Sequence, residues 1–178
     1  MSEVYNLYLN SFTGNAYLAT AQSPSPNSDM AFSINWDTFF NGANYRYKKC
    51  RLRYEYYSDP ILTSNPYDPL AFNSILVLTG LNSNSATKYG GIVLGLLSLD
   101  TITLTTITPS VATISQTCLA GANLTGPGQN IEVPKDMRNL NVQIQNNAYN
   151  ATSAGLIPTT YMGNWDLVLS FELYDPIM

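Results

Sequence analysis

The sequence predicts an all-β protein, an antiparallel sandwich of about eight strands with little helix. Three observations carry this. Apolar and polar residues alternate with period two in several segments, and no long helical pattern stands out. Only 11% of the 178 residues are charged, and Tyr, Asn, Thr and Ser are frequent, which suits strands whose outer surface is partly covered by neighbours. Turn-forming clusters punctuate the apolar segments: Ser23 to Pro26, Asn41-Gly42, Asp59-Pro60, Asn65-Pro66, Asp68-Pro69 and Gly126 to Gly128. At this length a single domain over residues 1–178 is expected, large enough to bury about 70% of its unfolded surface.

In chain order, Val4 to Asn10 alternates weakly. Ala31 to Trp36 alternates cleanly, with Phe32, Ile34 and Trp36 on one face. Asp37 to Phe40 reads as one helical turn capped by Asp37. Tyr45 to Tyr57 has the clearest strand pattern. Ser74 to Leu81 and Gly91 to Leu99 are more continuously apolar, as expected where both faces are covered. Thr101 to Ile107 and Ala112 to Ala120 are rich in Thr, Ile and Val, and Asn130 to Val133 and Leu140 to Gln145 follow. Residues 146–163 are small and polar and read as a long surface loop. The last segment, Trp165 to Tyr174, places Trp165, Leu167, Leu169, Phe171 and Leu173 on one face and Asp166, Ser170 and Glu172 on the other. Many short strands with irregular and sometimes long connections fit a single jelly roll.

Charge is unevenly placed. Five of the eight basic residues lie in Arg46-Tyr-Lys-Lys-Cys-Arg-Leu-Arg53. Within that strand Cys50, Leu52, Tyr54 and Tyr56 point one way, and Lys49, Arg51, Arg53 and Glu55 the other. A row of like charges repels itself unless something negative meets it. The expected negative partner is another copy of the chain. Arg46, Lys49, Arg51, Arg53 and Glu55 are therefore candidate subunit-interface residues. Asp166 and Glu172 are candidates for the acidic counterpart on a neighbour, the alternative being an ordinary solvated face.

Other chemistry finds little footing. The chain has no histidine, which removes Ser-His and Cys-His pairs and His metal ligands. Two distant cysteines make no zinc site without nitrogen ligands, so no metal and no cofactor is expected. Cys50 is expected buried and reduced beside Leu52, not linked to Cys118. Gly121-Ala-Asn-Leu-Thr-Gly126 opens like a phosphate loop, but Pro127 stands where Lys is required. Asp59 and Asp68 flank prolines and read as turn initiators. Asp166 and Glu172 lie about 20 Å apart along one strand face, too far for a glycosidase pair. An enzyme is not expected. The Tyr cluster of Tyr45, Tyr47, Tyr54, Tyr56, Tyr57 and Tyr67 admits two readings, half-buried packing or contact with a sugar or protein. A net charge of −4, and no Lys or Arg in the first 45 residues, give no reason to expect nucleic-acid binding. The N-terminus lacks the pattern of a signal peptide, and no segment has the roughly 18 apolar residues of a membrane helix.

One stretch resembles a known family. Phe32-Ser-Ile-Asn-Trp-Asp-Thr-Phe-Phe40, a short Asn/Gly loop and Tyr47-Lys-Lys-Cys-Arg-Leu-Arg-Tyr-Glu-Tyr-Tyr-Ser58 look like the first hairpin region of single-jelly-roll capsid proteins of icosahedral double-stranded DNA viruses. Trp165-Asp-Leu-Val-Leu-Ser-Phe-Glu-Leu-Tyr174 is similar to the last strand of many viral jelly rolls. The resemblance implies a structural virion protein, a pentameric vertex (penton) or minor shell component assembled in the host cytoplasm. Its implied partners are further copies of itself and neighbouring capsid proteins. A carbohydrate- or receptor-binding β-sandwich, such as a lectin or fibre head, is the alternative from another class.

Overall fold

The computed structural model describes residues 3–11, 15–16, 19–21, 29–41, 47–58, 61–63, 74–83, 91–104, 114–134, 136–146 and 164–174. In order these form β1 (Val4–Asn10), β2 (Asn15–Ala16), β3 (Ala19–Ala21), β4 (Asp29–Ile34), α1 (Trp36–Phe39), β5 (Tyr47–Ser58) and β6 (Ile61–Thr63). There follow β7 (Ser74–Thr79), β8 (Asn82–Ser83), β9 (Ile92–Leu104), β10 (Ile114–Ala122), β11 (Gln129–Pro134), β12 (Asn139–Asn146) and β13 (Trp165–Leu173). The fold is all-β, as predicted, and every strand pairing among the described residues is antiparallel.

The first sheet runs β1-β13-β5, with the far edge of β5 shared between β10 and β11. The second runs β4-β12-β7-β9, extended beyond β4 by β3 and β2. The long strands β1, β4, β5, β7, β9, β10–β11, β12 and β13 can be numbered in chain order, with β10 and β11 as one split strand. The sheets then read 1-8-3-6 and 2-7-4-5, the interleaved order of a jelly roll. The strand β9 joins the two sheets along one side. Its Ile92–Leu97 half pairs with β7, and its Ser98–Leu104 half pairs with β10. Gly91 to Leu99 and Thr101 to Ile107 read as two strands in sequence. They are one continuous strand through Leu104, because Asp100 and Thr101 stay in the ladder opposite Cys118 and Thr117.

Alternation places the core. In β5, Cys50, Leu52, Tyr54 and Tyr56 are buried, and in β13 Trp165, Leu167, Leu169 and Phe171 are buried. Leu7 and Leu9 of β1 face the same interior. From the second sheet come Met30, Phe32, Ile34, Leu76, Leu78, Leu140, Val142 and Ile144. The strand β7 is buried on both faces from Ser74 to Leu78, as its unbroken apolar run predicts.

Trp36 departs from the predicted strand. It opens α1, and Asn35 rather than Asp37 caps that turn, its side chain accepting the Thr38 N–H at 3.2 Å. The reason is local: after Ile34 an Asn side chain offers an acceptor to the first free helix donor, and the chain turns one residue earlier than the apolar alternation implies. The turn has a packing consequence. Helical spacing puts Trp36, Phe39 and Phe40 on one side, and all three rings meet Phe171 of β13 at centroid distances of 5.7, 5.5 and 6.0 Å.

Candidate interaction surface

The outer face of the first sheet collects every described residue predicted for the interface. The side-chain period sends Lys49, Arg51, Arg53, Glu55 and Tyr57 of β5 outward, opposite the buried set. Strand pairing then fixes their neighbours. Lys49 stands opposite Glu132 of β11. Val4, Glu172, Arg51 and Asn130 form one row across the sheet. Asn6, Ser170 and Arg53 form the next, followed by Tyr8, Val168, Glu55 and Ala122, then Asn10, Asp166, Tyr57 and Ala120. Arg46 lies outside the described residues, as do Asp59, Asp68, Tyr45 and Tyr67.

The cations do not wait for another copy to meet a carboxylate. Arg53 donates from Nη1 to Glu172 Oε2 at 2.8 Å and from Nε to the Gly126 carbonyl at 3.0 Å. Arg51 lies 3.9 Å from the same Glu172 oxygen. Glu172, a candidate acidic counterpart for a neighbour's cations, thus also lies against Arg51 and Arg53 of its own chain. The sequence reading followed charge along one strand, whereas β13 pairs with β5 over nine residues and sets Glu172 directly across from Arg51. Pairs this exposed contribute about 1 kcal/mol or less. Their value here is positional, because Arg53 also holds the turn between β10 and β11. Asn123 continues that strand past its end: its backbone N–H donates to the Tyr54 carbonyl at 3.0 Å, and its side-chain oxygen accepts the Tyr54 N–H at 2.7 Å. In the segment Gly121 to Gly126, the first two residues thus end β10 and the rest begin the connection to β11, not the strand-to-helix turn of a phosphate loop.

What remains on the face is a charge gradient. One end has Lys49, Arg51 and Arg53 against Glu132 and Glu172, a balance of +1. In the last two rows the charged residues are Glu55 and Asp166, a balance of −2. Beside these two carboxylates stand Tyr8 and Tyr57, 55% and 43% exposed, with Val168 half-buried between Tyr8 and Glu55. Val4 and Tyr8 escaped the sequence reading, although their phase against Leu7 and Leu9 is enough to turn them outward. Glu132 was missed because only pairing identifies its neighbour Lys49. Of the Tyr cluster, Tyr54 and Tyr56 pack in the core and Tyr57 is on the surface.

Behind the face, Cys50 is fully buried and free, and burial pushes its thiol up to about 12. We expect iodoacetamide at pH 8 to leave Cys50 unmodified in the native protein and to modify it in denaturant, read by peptide mass spectrometry. Native labelling of Cys50 would contradict the strand phase. No family model, curated protein or solved structure matches the chain.

Proposed function

We propose that the chain is a structural shell subunit, a jelly-roll capsid protein that forms the five-fold vertex ring or a minor shell position of an icosahedral virion. The resemblance of Phe32 to Ser58 to that family supports the reading, and so does the interleaved order of two antiparallel sheets. Folds of this kind serve many functions, so the surface has to carry the argument. The observation that carries it is the gradient on the outer face of the first sheet: Lys49, Arg51 and Arg53 at one end, Glu55 and Asp166 with exposed Tyr8 and Tyr57 at the other. Two ends that differ in charge sign fit head to tail. A head-to-tail contact repeated by rotation closes a ring, in which every subunit presents its basic end to the acidic end of the next. Charge sets the register and the encounter rate, while the exposed Tyr rings supply the buried apolar area.

Arg51 is the position to test. It is 44% exposed and only loosely paired, whereas Arg53 is engaged inside the chain by Glu172 and Gly126. Arg51→Glu is expected to leave the fold intact and to weaken assembly by at least tenfold in concentration. The double change Glu55→Lys with Asp166→Lys is expected to do the same. Combining all three in one chain restores a complementary pair and recovers assembly. Sedimentation of the variants checks this. Wild-type assembly by Arg51→Glu, or no recovery in the combined variant, would remove the gradient from the account.

A further inference from the structure

The outer face of the first sheet does not stop at β10. Ala120 of β10 pairs with Tyr57 on one side and with Ser98 of β9 on the other. Counting the β9 ladder on by two residues brings Ala122 level with Leu96, and a Cβ at Gly121 would stand 3.0 Å from the Leu96 carbonyl. Leu97 is buried, so alternation turns Leu96 and Ser98 outward, and both are exposed. The row of Tyr8, Val168, Glu55 and Ala122 thus continues to Leu96. At 66%, Leu96 is the most exposed large hydrophobic among the described residues.

The extension changes the surroundings of the two carboxylates at the acidic end. Glu55 stands between Val168 and Ala122. Asp166 has Tyr57 directly across from it and Tyr8 on the diagonal. Glu55 and Asp166 are diagonal neighbours themselves, and such pairs have Cβ atoms roughly 7 Å apart. The two acids are therefore framed by apolar side chains from β1 across to β9. Among the described residues the printed geometry gives ion pairs to Glu172, with Arg51 and Arg53, and to neither acid of this pair.

We infer, resting on the head-to-tail reading above, that the framed carboxylates are the seat of one guanidinium, that of Arg51 on a second copy of the chain, and that Leu96 closes the apolar frame around it. Charge complementarity selects the occupant. Arg51 is 44% exposed, whereas Arg53 is held inside its own chain by Glu172 and the Gly126 carbonyl. Val4, 56% exposed, lies in the same row as Arg51 and brings apolar surface with it. A guanidinium is planar and has five N–H donors, enough to meet two carboxylates while its face packs on a Tyr ring. An ammonium is more strongly hydrated and loses more when an apolar frame strips its water, so the seat favours Arg over Lys. The frame contributes by excluding water from the ion pair, as the apolar surround of an interface hot spot does.

Sedimentation velocity of the full chain carrying Leu96→Thr or Arg51→Lys, across a concentration series, tests this. Both changes keep the net charge of the wild type. Thr suits a strand and Leu96 points outward, so the fold should persist, read as an unchanged denaturation midpoint. Each variant is expected to raise the concentration needed for assembly by about tenfold or more. Leu96→Thr should leave the salt dependence of the wild type in place, because the charges are untouched. Wild-type assembly by either variant overturns the inference. If Arg51→Glu still fails to assemble in that case, the charge gradient stands without the seat. If Arg51→Glu also assembles like the wild type, or the wild type itself is monomeric, gradient and seat fall together.

Discussion

Phe171→Ala should lower the free energy of unfolding by about 3–5 kcal/mol, the range for deleting a fully buried aromatic side chain. Phe171 has no exposed surface and touches three rings, those of Trp36, Phe39 and Phe40. It sits in β13, flanked by Tyr5 of β1 and Leu52 of β5. Removing its ring leaves a cavity that the helical turn beneath it cannot fill, because Asn35 and the chain of β4 hold Trp36 and Phe39 in place. Its neighbour Ser170 points to the outer face and bonds Asn6 at 2.6 Å, so Ser170→Ala should cost about 1 kcal/mol or less. Equilibrium denaturation of both variants decides the matter. Equal costs would mean that β13 is covered on both faces.

Gly95→Ala is expected to cost about 1–3 kcal/mol, as overpacking of a filled interior does. The phenol of Tyr54 reaches from β5 to Gly95, which still pairs with Leu76 of β7 just before β9 changes sheets. A Cβ at Gly95 would collide with the Tyr54 oxygen and come within 3.1 Å of the ring carbon that bears it. Gly121 on β10 flanks the same oxygen, where a Cβ would stand 3.3 Å away. At Gly121, however, a Cβ would first meet Leu97 Cδ2 at 2.9 Å and the Leu96 carbonyl at 3.0 Å, so that glycine chiefly admits β9. The expectation has a specific signature. Tyr54→Phe removes the colliding atom, so Gly95→Ala should be less costly in the Tyr54→Phe background than in the wild type. A double-mutant cycle by thermal or chemical denaturation measures the difference. Additive costs would show that Tyr54 is not what Gly95 makes room for.

Much of this fold was legible because single-strand phase is a local property. Cys50, Leu52, Tyr54 and Tyr56 alternate with Lys49, Arg51, Arg53 and Glu55, and the structure keeps that division residue for residue. The same holds for Trp165, Leu167, Leu169 and Phe171. What escaped depends on partners distant in sequence. Glu172 meets Arg53 across 119 residues, and no pattern within either strand announces it. The continuity of β9 through Asp100 depends on β10 lying beside it, and a lone Asp in an apolar run reads as a break. Trp36 fits the alternation of Phe32 and Ile34, and it is the capping geometry of Asn35 that removes it from the strand. The candidate surface was legible as a set of residues and not as a network. Lys49, Arg51, Arg53, Glu55, Asp166 and Glu172 share one face, but the sharing of carboxylates within the chain needed the register.

Sedimentation velocity of the wild-type chain at about 50 mM and about 500 mM salt tests the central proposal most directly. A charge-guided head-to-tail ring predicts a discrete species with the mass of five chains at low salt, dissociating toward smaller species as salt screens Arg51 from the acidic end of its neighbour. A chain that stays monomeric at high protein concentration and low salt, or an assembly whose mass is indifferent to salt and to Arg51→Glu, would contradict it.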